Sequence, residues 1–187
     1  GIRDCLWSRG LGDVYKRQIN SKYQVDIFKK AAEKRGVQVL EATVSNVNDI
    51  QQAAASLNGK VQGIDYSAVS VEKARKVNAS AIAAGRCNVR QASVAELPFE
   101  AEQFDVVTAF ETVYFWPGLA QNFREVYRVL KPGGTFFICN EANGETAKDD
   151  KWTQIINGMT IYTDADLKVY LEQAGFGRVQ SHKNKKG

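Results

Sequence analysis

Histidine is almost missing from the chain. His182 is the single one among 187 residues, and it stands in a lysine-rich tail. A histidine-dependent triad or a multi-histidine metal site therefore has no material. Cysteine is scarce as well: Cys5, Cys87 and Cys139 are an odd, scattered set without a close pair. Neither a disulfide framework nor a zinc site is indicated, so idle or buried thiols and no metal are expected. No apolar run approaches the roughly 18 residues that cross a bilayer, and the N-terminus lacks the long apolar stretch of a secretory signal. No membrane insertion and a cytoplasmic location are expected. A basic stripe is lacking too. The formal net charge is +4, but Lys183, Lys185 and Lys186 crowd the last five residues, and elsewhere acids and bases are interspersed. That is no nucleic-acid footprint. Internal repeats and low-complexity linkers are absent, and no feature specifies an oligomeric state. What is present is 44% hydrophobic and 25% charged, the composition of a soluble globular chain with material for a sizeable core.

The run GIRDCLWSRGLGDVYKRQ, residues 1–18, has neither a period of 2 nor one of 3.6, and its composition does not match the rest of the chain. SRGLGDVYKRQ resembles the translation of a transposon-type sequencing adapter, and GIRD resembles the translated end of a flow-cell primer. On that reading residues 1–18 are an artefactual leader, set aside from fold reasoning. Taking away its bases (Arg3, Arg9, Lys16, Arg17) and acids (Asp4, Asp13) leaves 21 bases against 19 acids, a net charge of +2.

Beyond the leader, helical and extended patterns alternate. Tyr23, Val25, Ile27, Phe28, Ala31 and Ala32 predict a helix over residues 21–35, with Ser21 as cap and Gly36 as stop. Residues 37–44 read as a strand, and Asn48 or Asp49 caps a helix through Leu57. Strand Lys60–Asp65 and a helix over residues 68–84, stopped by Gly85, come next. After them stand a short strand over residues 89–93 and the nearly continuous apolar run Phe104–Phe110. Such a run belongs to a strand buried on both faces. Phe123, Val126, Tyr127 and Leu130 give one face of a helix over residues 119–130; Lys131, Pro132, Gly133 and Gly134 end it before a strand at 135–140. Thr163 caps a helix over 164–174, and the final strand is expected at 177–182. This alternation predicts an α/β fold around a mostly parallel sheet.

Chemistry concentrates where strands end, because an open α/β sheet presents side chains to a ligand crevice at its carboxyl edge. In GIDYS, residues 63–67, Asp65 closes a strand. A carboxylate there accepts from vicinal hydroxyls, and the Tyr66 ring offers a flat apolar surface. The competing reading of Asp65 is a helix cap or turn former.

Further along, Ser93-Val94, Leu97-Pro98-Phe99, FDVVTAF and REVYRVLKPGGTFFI come in a fixed order and spacing. The stretches GIDYSAVSVEKARKVN, RQASVAELPF, FETVYFWP and LKPGG resemble the class I S-adenosylmethionine-dependent methyltransferases, in the branch related to ubiquinone and sterol methylation. The resemblance covers residues 61–182. It implies a three-layer Rossmann-like sheet, incomplete at both ends of this chain, with S-adenosylmethionine as cofactor and a small-molecule methyl acceptor as partner. It also implies that Asp65 holds the ribose hydroxyls and Tyr66 lines the adenine. Ser93 takes the place of an Asp that accepts from the adenine amine in many relatives, and a Ser accepts more weakly. Val94 reads the adenine through its backbone amide, and Phe110 contacts the methionine part. Glu111, Tyr114, Phe115 and Trp116 form an acceptor-side wall, with core packing as the alternative for the aromatics. Methyl transfer is an in-line displacement in which positioning supplies much of the rate. Glu111 or Tyr114 is the candidate base if the acceptor loses a proton.

Relatives carry a glycine-rich turn between the first strand and helix, where backbone amides approach the cofactor. At the corresponding place this chain has Ala42, Thr43, Val44, Ser45, Asn46, Val47, Asn48 and Asp49. Residues 20–61 instead resemble part of an ABC-transporter substrate-binding protein. The expected organisation is therefore a foreign or diverged segment at 19–60, a joint near 59–61, and a methyltransferase core at 61–187 whose own activity the missing glycine turn compromises. The alternative functions are a ligand-binding module related to transporter lobes and a non-catalytic remnant.

Overall fold

A computed structural model describes residues 38–41, 60–140, 142–145 and 147–181. The leader, the helices expected at 21–35 and 48–57 and the glycine-poor turn at 42–49 lie outside the described residues.

Five parallel strands form one sheet: β1 (Gln38–Glu41), β2 (Lys60–Asp65), β3 (Cys87–Gln91), β4 (Phe104–Phe110) and β5 (Leu130–Cys139), in the order β3-β2-β1-β4-β5. β1 is central; its residues pair with Lys60 to Gly63 on one side and with Val106 to Thr108 on the other. Of the strand expected at 37–44, residues 38–41 are described and are strand. β2 and β4 have the predicted bounds. In β4, Phe104, Val106, Val107, Thr108, Ala109 and Phe110 are all buried, which is why the run is apolar without alternation.

The chain moves along the sheet in one direction from β1 to β3 and in the other from β4 to β5. Right-handed crossovers in opposite directions lay their helices on opposite faces. On one face lie α1 (Ala68–Val77) and α2 (Ala79–Ala83), between β2 and β3. On the other lies α3 (Leu119–Val129), between β4 and β5, with α5 (Asp164–Gln173) packed against it. This gives the three layers expected.

Ser67 starts α1, its hydroxyl accepting from the Ser70 amide. The helix expected over 68–84 is broken at Asn78, which is fully buried and whose Nδ2 donates to the Ala74 carbonyl at 2.8 Å. A side-chain amide taking a helix carbonyl competes with the regular ladder, and α2 continues from the interruption. β3 begins and ends two residues before the strand expected at 89–93: the Ala92 amide donates to the Asp65 carbonyl, and Ser93 turns away in an isolated bridge with Glu96.

α3 buries Leu119, Asn122, Phe123, Val126 and Val129 along one stripe. Its expected stop at 131–134 is instead the start of β5, which pairs Leu130 with Phe104 and then Thr135 with Val106. The KPGG stretch is an irregularity inside that pairing. A Cβ on Gly134 would stand 2.9 Å from the Lys131 carbonyl and 3.1 Å from that of Asp105, so only glycine fits without a shift. α4 (Ala147–Ile155) and a short turn of 3-10 helix at Val113–Phe115 have no counterpart among the expected elements. Thr163 does cap α5, in a reciprocal box with Asp166. Residues 177–181 form no strand, and His182 lies outside the described residues. Phe176 and Val179 attach that segment to the core by side-chain packing rather than by a ladder.

A hydrophobic core cluster lies on the α3 side. It joins Ile64, Val107, Ala109, Phe123, Val126 and Val129 to the turn residues Val94 and Leu97. That turn is fastened from α3 by Arg128, which donates to the Leu97 and Phe99 carbonyls and to Glu125; Glu125 in turn accepts from the Leu97 amide. Among the described residues no helix is long and apolar enough to cross a membrane, and no group of three or more His, Cys, Asp or Glu could hold a metal ion.

Candidate active site

The order of the strands reverses between β1 and β4, and the carboxyl ends flanking such a reversal open into a crevice. β2 delivers Asp65 to that edge, 4% exposed. Its Oδ1 accepts from the Ser67 amide at 2.8 Å, so the competing turn-forming role of this residue is real. A carboxylate oxygen can accept more than one hydrogen bond, so this bond does not by itself preclude a ligand.

Tyr66 is next in the chain, with its side chain two-thirds exposed. Its carbonyl accepts from Gln91 Nε2 at 2.9 Å, so the end of β3 holds the backbone that presents the ring. Ser93 is exposed, and its hydroxyl accepts from the Ala95 amide at 3.2 Å. Val94 buries its side chain in the core, while none of the hydrogen bonds of this turn uses its N–H. Asp65, Tyr66, Ser93 and Val94 thus gather at the adjoining ends of β2 and β3, joined through the Asp65 carbonyl and the Ala92 amide.

On the other side of β1, Phe110 ends β4 buried, its ring 5.8 Å from that of Phe137. Glu111 has φ of 51°, and its amide donates to the Cys139 carbonyl at 2.9 Å. A non-glycine residue in left-handed backbone beside a sheet edge is held there against a steric cost, a feature that clusters at functional sites.

Tyr114 is 3% exposed, and its hydroxyl both donates to the Ala142 carbonyl (3.1 Å) and accepts from the Ala142 amide (2.9 Å). Both functions of the phenol are engaged in fastening a loop. Trp116 is buried, donates from Nε1 to Thr112 Oγ1 at 3.1 Å and stacks on Phe136 at an interplanar angle of 9°. It belongs to the core cluster, the alternative to an acceptor-side wall. Phe115 is 40% exposed and meets Tyr114 edge-on. The edge of β4 therefore splits by depth: Glu111 and Phe115 remain partly open, while Tyr114 and Trp116 hold the wall from behind.

Two further residues of this edge carry no assignment from the sequence. Gln91 supports Tyr66, and Asn140 stands directly after β5, beside the Glu111 turn. Asn140 is a polar residue directly after the apolar stretch Phe136 to Cys139, at a strand end as Asp65 is.

Residues 46–138 match a family described as methyltransferase domain. The match begins on the N-terminal side of the joint expected near 59–61. The 24-methylenesterol C-methyltransferase 3 of Arabidopsis thaliana is 26% identical over 176 residues, covering 89% of this chain and 48% of that protein. The ubiquinone/menaquinone biosynthesis C-methyltransferase of Geotalea daltonii is 36% identical over 78 residues, covering 42% of this chain and 33% of that one. Among solved structures, a geranyl diphosphate methyltransferase in complex with SAM superposes with a TM-score of 0.73 at 15% identity, covering 89% of this chain and 68% of that one. A putative methyltransferase of Haloferax volcanii, solved with its Trm112 activator, gives 0.71 at 21% identity, covering 89% and 74%. At such identities the likeness shows a shared fold. The chain spans about half the length of the sterol relative it matches.

Proposed function

From a chain that belongs to the class I S-adenosylmethionine-dependent methyltransferases, we propose an activity: transfer of the methyl group of S-adenosylmethionine to a small, largely apolar molecule. The observation that carries this is the buried carboxylate of Asp65 at the rim of β2, beside the reversal in strand order.

When bound, S-adenosylmethionine supplies an activated methyl group on a positively charged sulfur. The donor set of this edge fits such a nucleoside. Asp65 accepts from two vicinal hydroxyls, Tyr66 offers its face to a purine, Val94 offers an N–H not used elsewhere in its turn, and Ser93 offers a weak acceptor. Phe110 and the Glu111 turn border the methionine end. Glu111 is the residue of this edge suited to take a proton from an acceptor. Tyr114 contributes as a positioning residue, because its hydroxyl is committed to Ala142. Trp116 shapes the acceptor wall from behind through its contacts with Thr112 and Phe136.

Isothermal titration with S-adenosylhomocysteine tests the reading. The protein should bind it in the micromolar range. Asp65→Asn keeps an oxygen for the Ser67 amide but exchanges the other acceptor for a donor, so affinity should fall roughly ten- to a hundredfold with the fold intact. Equal affinity of the variant and the native protein would remove Asp65 from the site and the proposal with it.

A further inference from the structure

Among the described residues, four carboxamide side chains keep a buried polar atom without a hydrogen-bond partner: Gln62, Asn78, Asn122 and Asn140. Asn78 and Asn122 satisfy their amide ends internally, on the Ala74 and Pro117 carbonyls, and keep one oxygen unmet. Asn140 is different, because both Oδ1 and Nδ2 are buried and unmet. Burying two polar atoms without partners is unfavourable, and native structures rarely leave both ends of a carboxamide in that state unless something else completes them.

The position says where that something lies. Asn140 is the residue after β5 at its carboxyl end. Phe110 and Cys139 are register partners, and the Glu111 amide donates to the Cys139 carbonyl, so Glu111 and Asn140 leave adjacent strands at the same level. Phe136 and Ile138 pack on the α3 side of the sheet, and Asn140 continues their alternation. The carboxamide therefore stands on the acceptor side of the crevice, across β4 and β1 from Asp65.

We propose that Asn140 is the residue that orients the methyl acceptor, by bonding a neutral hydroxyl group on an otherwise apolar molecule. This rests on the methyltransferase reading above. A hydroxyl is a donor and an acceptor at once, so one alcohol group bridges Oδ1 and Nδ2 and satisfies both. The surroundings set the rest of the class. Phe136 and Ile138 precede Asn140 on the same face of β5, and the part-exposed Phe115 stands on the neighbouring edge, so the setting is apolar. In the sequence, residues 110–117 and 139–145 contain Glu111, Glu141 and Glu145 and no lysine or arginine, a local charge that disfavours an anionic head group. Asn140 is a specificity-determining residue for alcohols against phosphorylated analogues.

Geraniol and geranyl diphosphate share one hydrocarbon body and differ only in this head group, which makes them the probe pair. Each is titrated into the 187-residue protein with and without saturating S-adenosylhomocysteine. The native protein should bind geraniol at least tenfold more tightly than geranyl diphosphate. Asn140→Leu, close in volume and without polar atoms, should lose roughly ten- to a hundredfold in geraniol affinity. Its S-adenosylhomocysteine affinity should stay unchanged, which also reports that the variant is folded. Asn140→Gln keeps both functional groups and should recover part of the alcohol preference, a result that a merely structural Asn140 would not give. Three outcomes overturn the proposal: no geraniol binding by the native protein, equal geraniol affinity in Asn140→Leu, or a preference for the diphosphate. If S-adenosylhomocysteine fails to bind while geraniol binds in an Asn140-dependent way, the cofactor reading falls and the role of Asn140 stands.

Discussion

Tyr114 and Asn140 are both polar and both lie along the edge of the same two strands, yet their side chains are in opposite circumstances. The Tyr114 hydroxyl meets two buried partners on Ala142, whereas the Asn140 carboxamide meets none. Substitution separates these situations. In Tyr114→Phe the ring still fits, but the amide and carbonyl of Ala142 lose their partner in the interior, which should cost about 1–3 kcal/mol. The midpoint of urea unfolding should fall accordingly, while S-adenosylhomocysteine affinity stays close to the native value. A Tyr114→Phe protein as stable as the native one would show that water replaces the phenol and that the loop is not held through it. Asn140→Leu should move the other way, raising the unfolding midpoint of the ligand-free protein, because two unmet polar groups are replaced by apolar ones. Measured side by side, the two variants distinguish a polar group that serves the fold from one kept for a ligand.

Elements are legible in the sequence where one physical rule decides them. β4 has its predicted bounds because a strand covered on both faces leaves a continuous apolar run, and α3 begins where expected and ends one residue early, at Val129, its buried stripe recurring at helical spacing. Asp65 is legible for the same kind of reason, a strand-end acid in a parallel sheet. Features settled by side-chain competition or by distant partners are not. Asn78 interrupts α1 through a bond to Ala74 that composition does not announce, and KPGG joins β5 because Leu130 finds Phe104 across the sheet. The role of the Tyr114 hydroxyl depends on Ala142 lying opposite, which no local pattern reveals. The bracket between α3 and the Leu97–Phe99 turn is another such long-range feature, and it makes stability depend on pH. The Arg128 side chain, helped by the Leu97 amide, holds the Glu125 carboxyl below its ordinary value against the opposing effect of burial. A folded-state value lower than the unfolded one contributes stability that is present above the ordinary glutamate range. That contribution is lost as pH falls through the depressed value. Glu125→Gln should therefore be less stable than the native protein at neutral pH by up to about 1 kcal/mol, with the gap closing on acidification. Denaturant melts in a series from neutral pH down through the depressed Glu125 value check this, and a gap of constant size would show that the bond to Leu97, not the charge, matters. At the start of α5, Thr163→Ala removes a cap and should cost about 1 kcal/mol, read from the same melts.

At the scale of the whole molecule, the two halves of the crevice are supported from opposite faces of one sheet. Asp65 and Tyr66 emerge where β2 runs into α1, and Glu111 and Asn140 where β4 and β5 face α3. What couples them is the cluster around Phe123, which is fully buried, edge-on to both Trp116 and Phe136, and part of the group that includes Ile64 of β2 and Val94 of the turn after β3. A defect there should reach both sites together. Phe123→Ala leaves a void that the surrounding aromatics fill only in part, at a cost of about 3–5 kcal/mol. Against the roughly 5–15 kcal/mol typical of a folded domain, that is a large share. Urea unfolding read by tryptophan fluorescence, in a protein whose Trp7 and Trp152 are replaced by Phe so that Trp116 alone reports, and by far-ultraviolet circular dichroism, which reports on the whole backbone, should shift to lower midpoints by the same amount. Coincident curves are expected if the two halves fold as one cooperative unit. Separation of the curves in the variant, with the fluorescence change preceding the loss of backbone signal, would mean that the α3 face melts alone, and that Asp65 and Asn140 are carried by structures of independent stability.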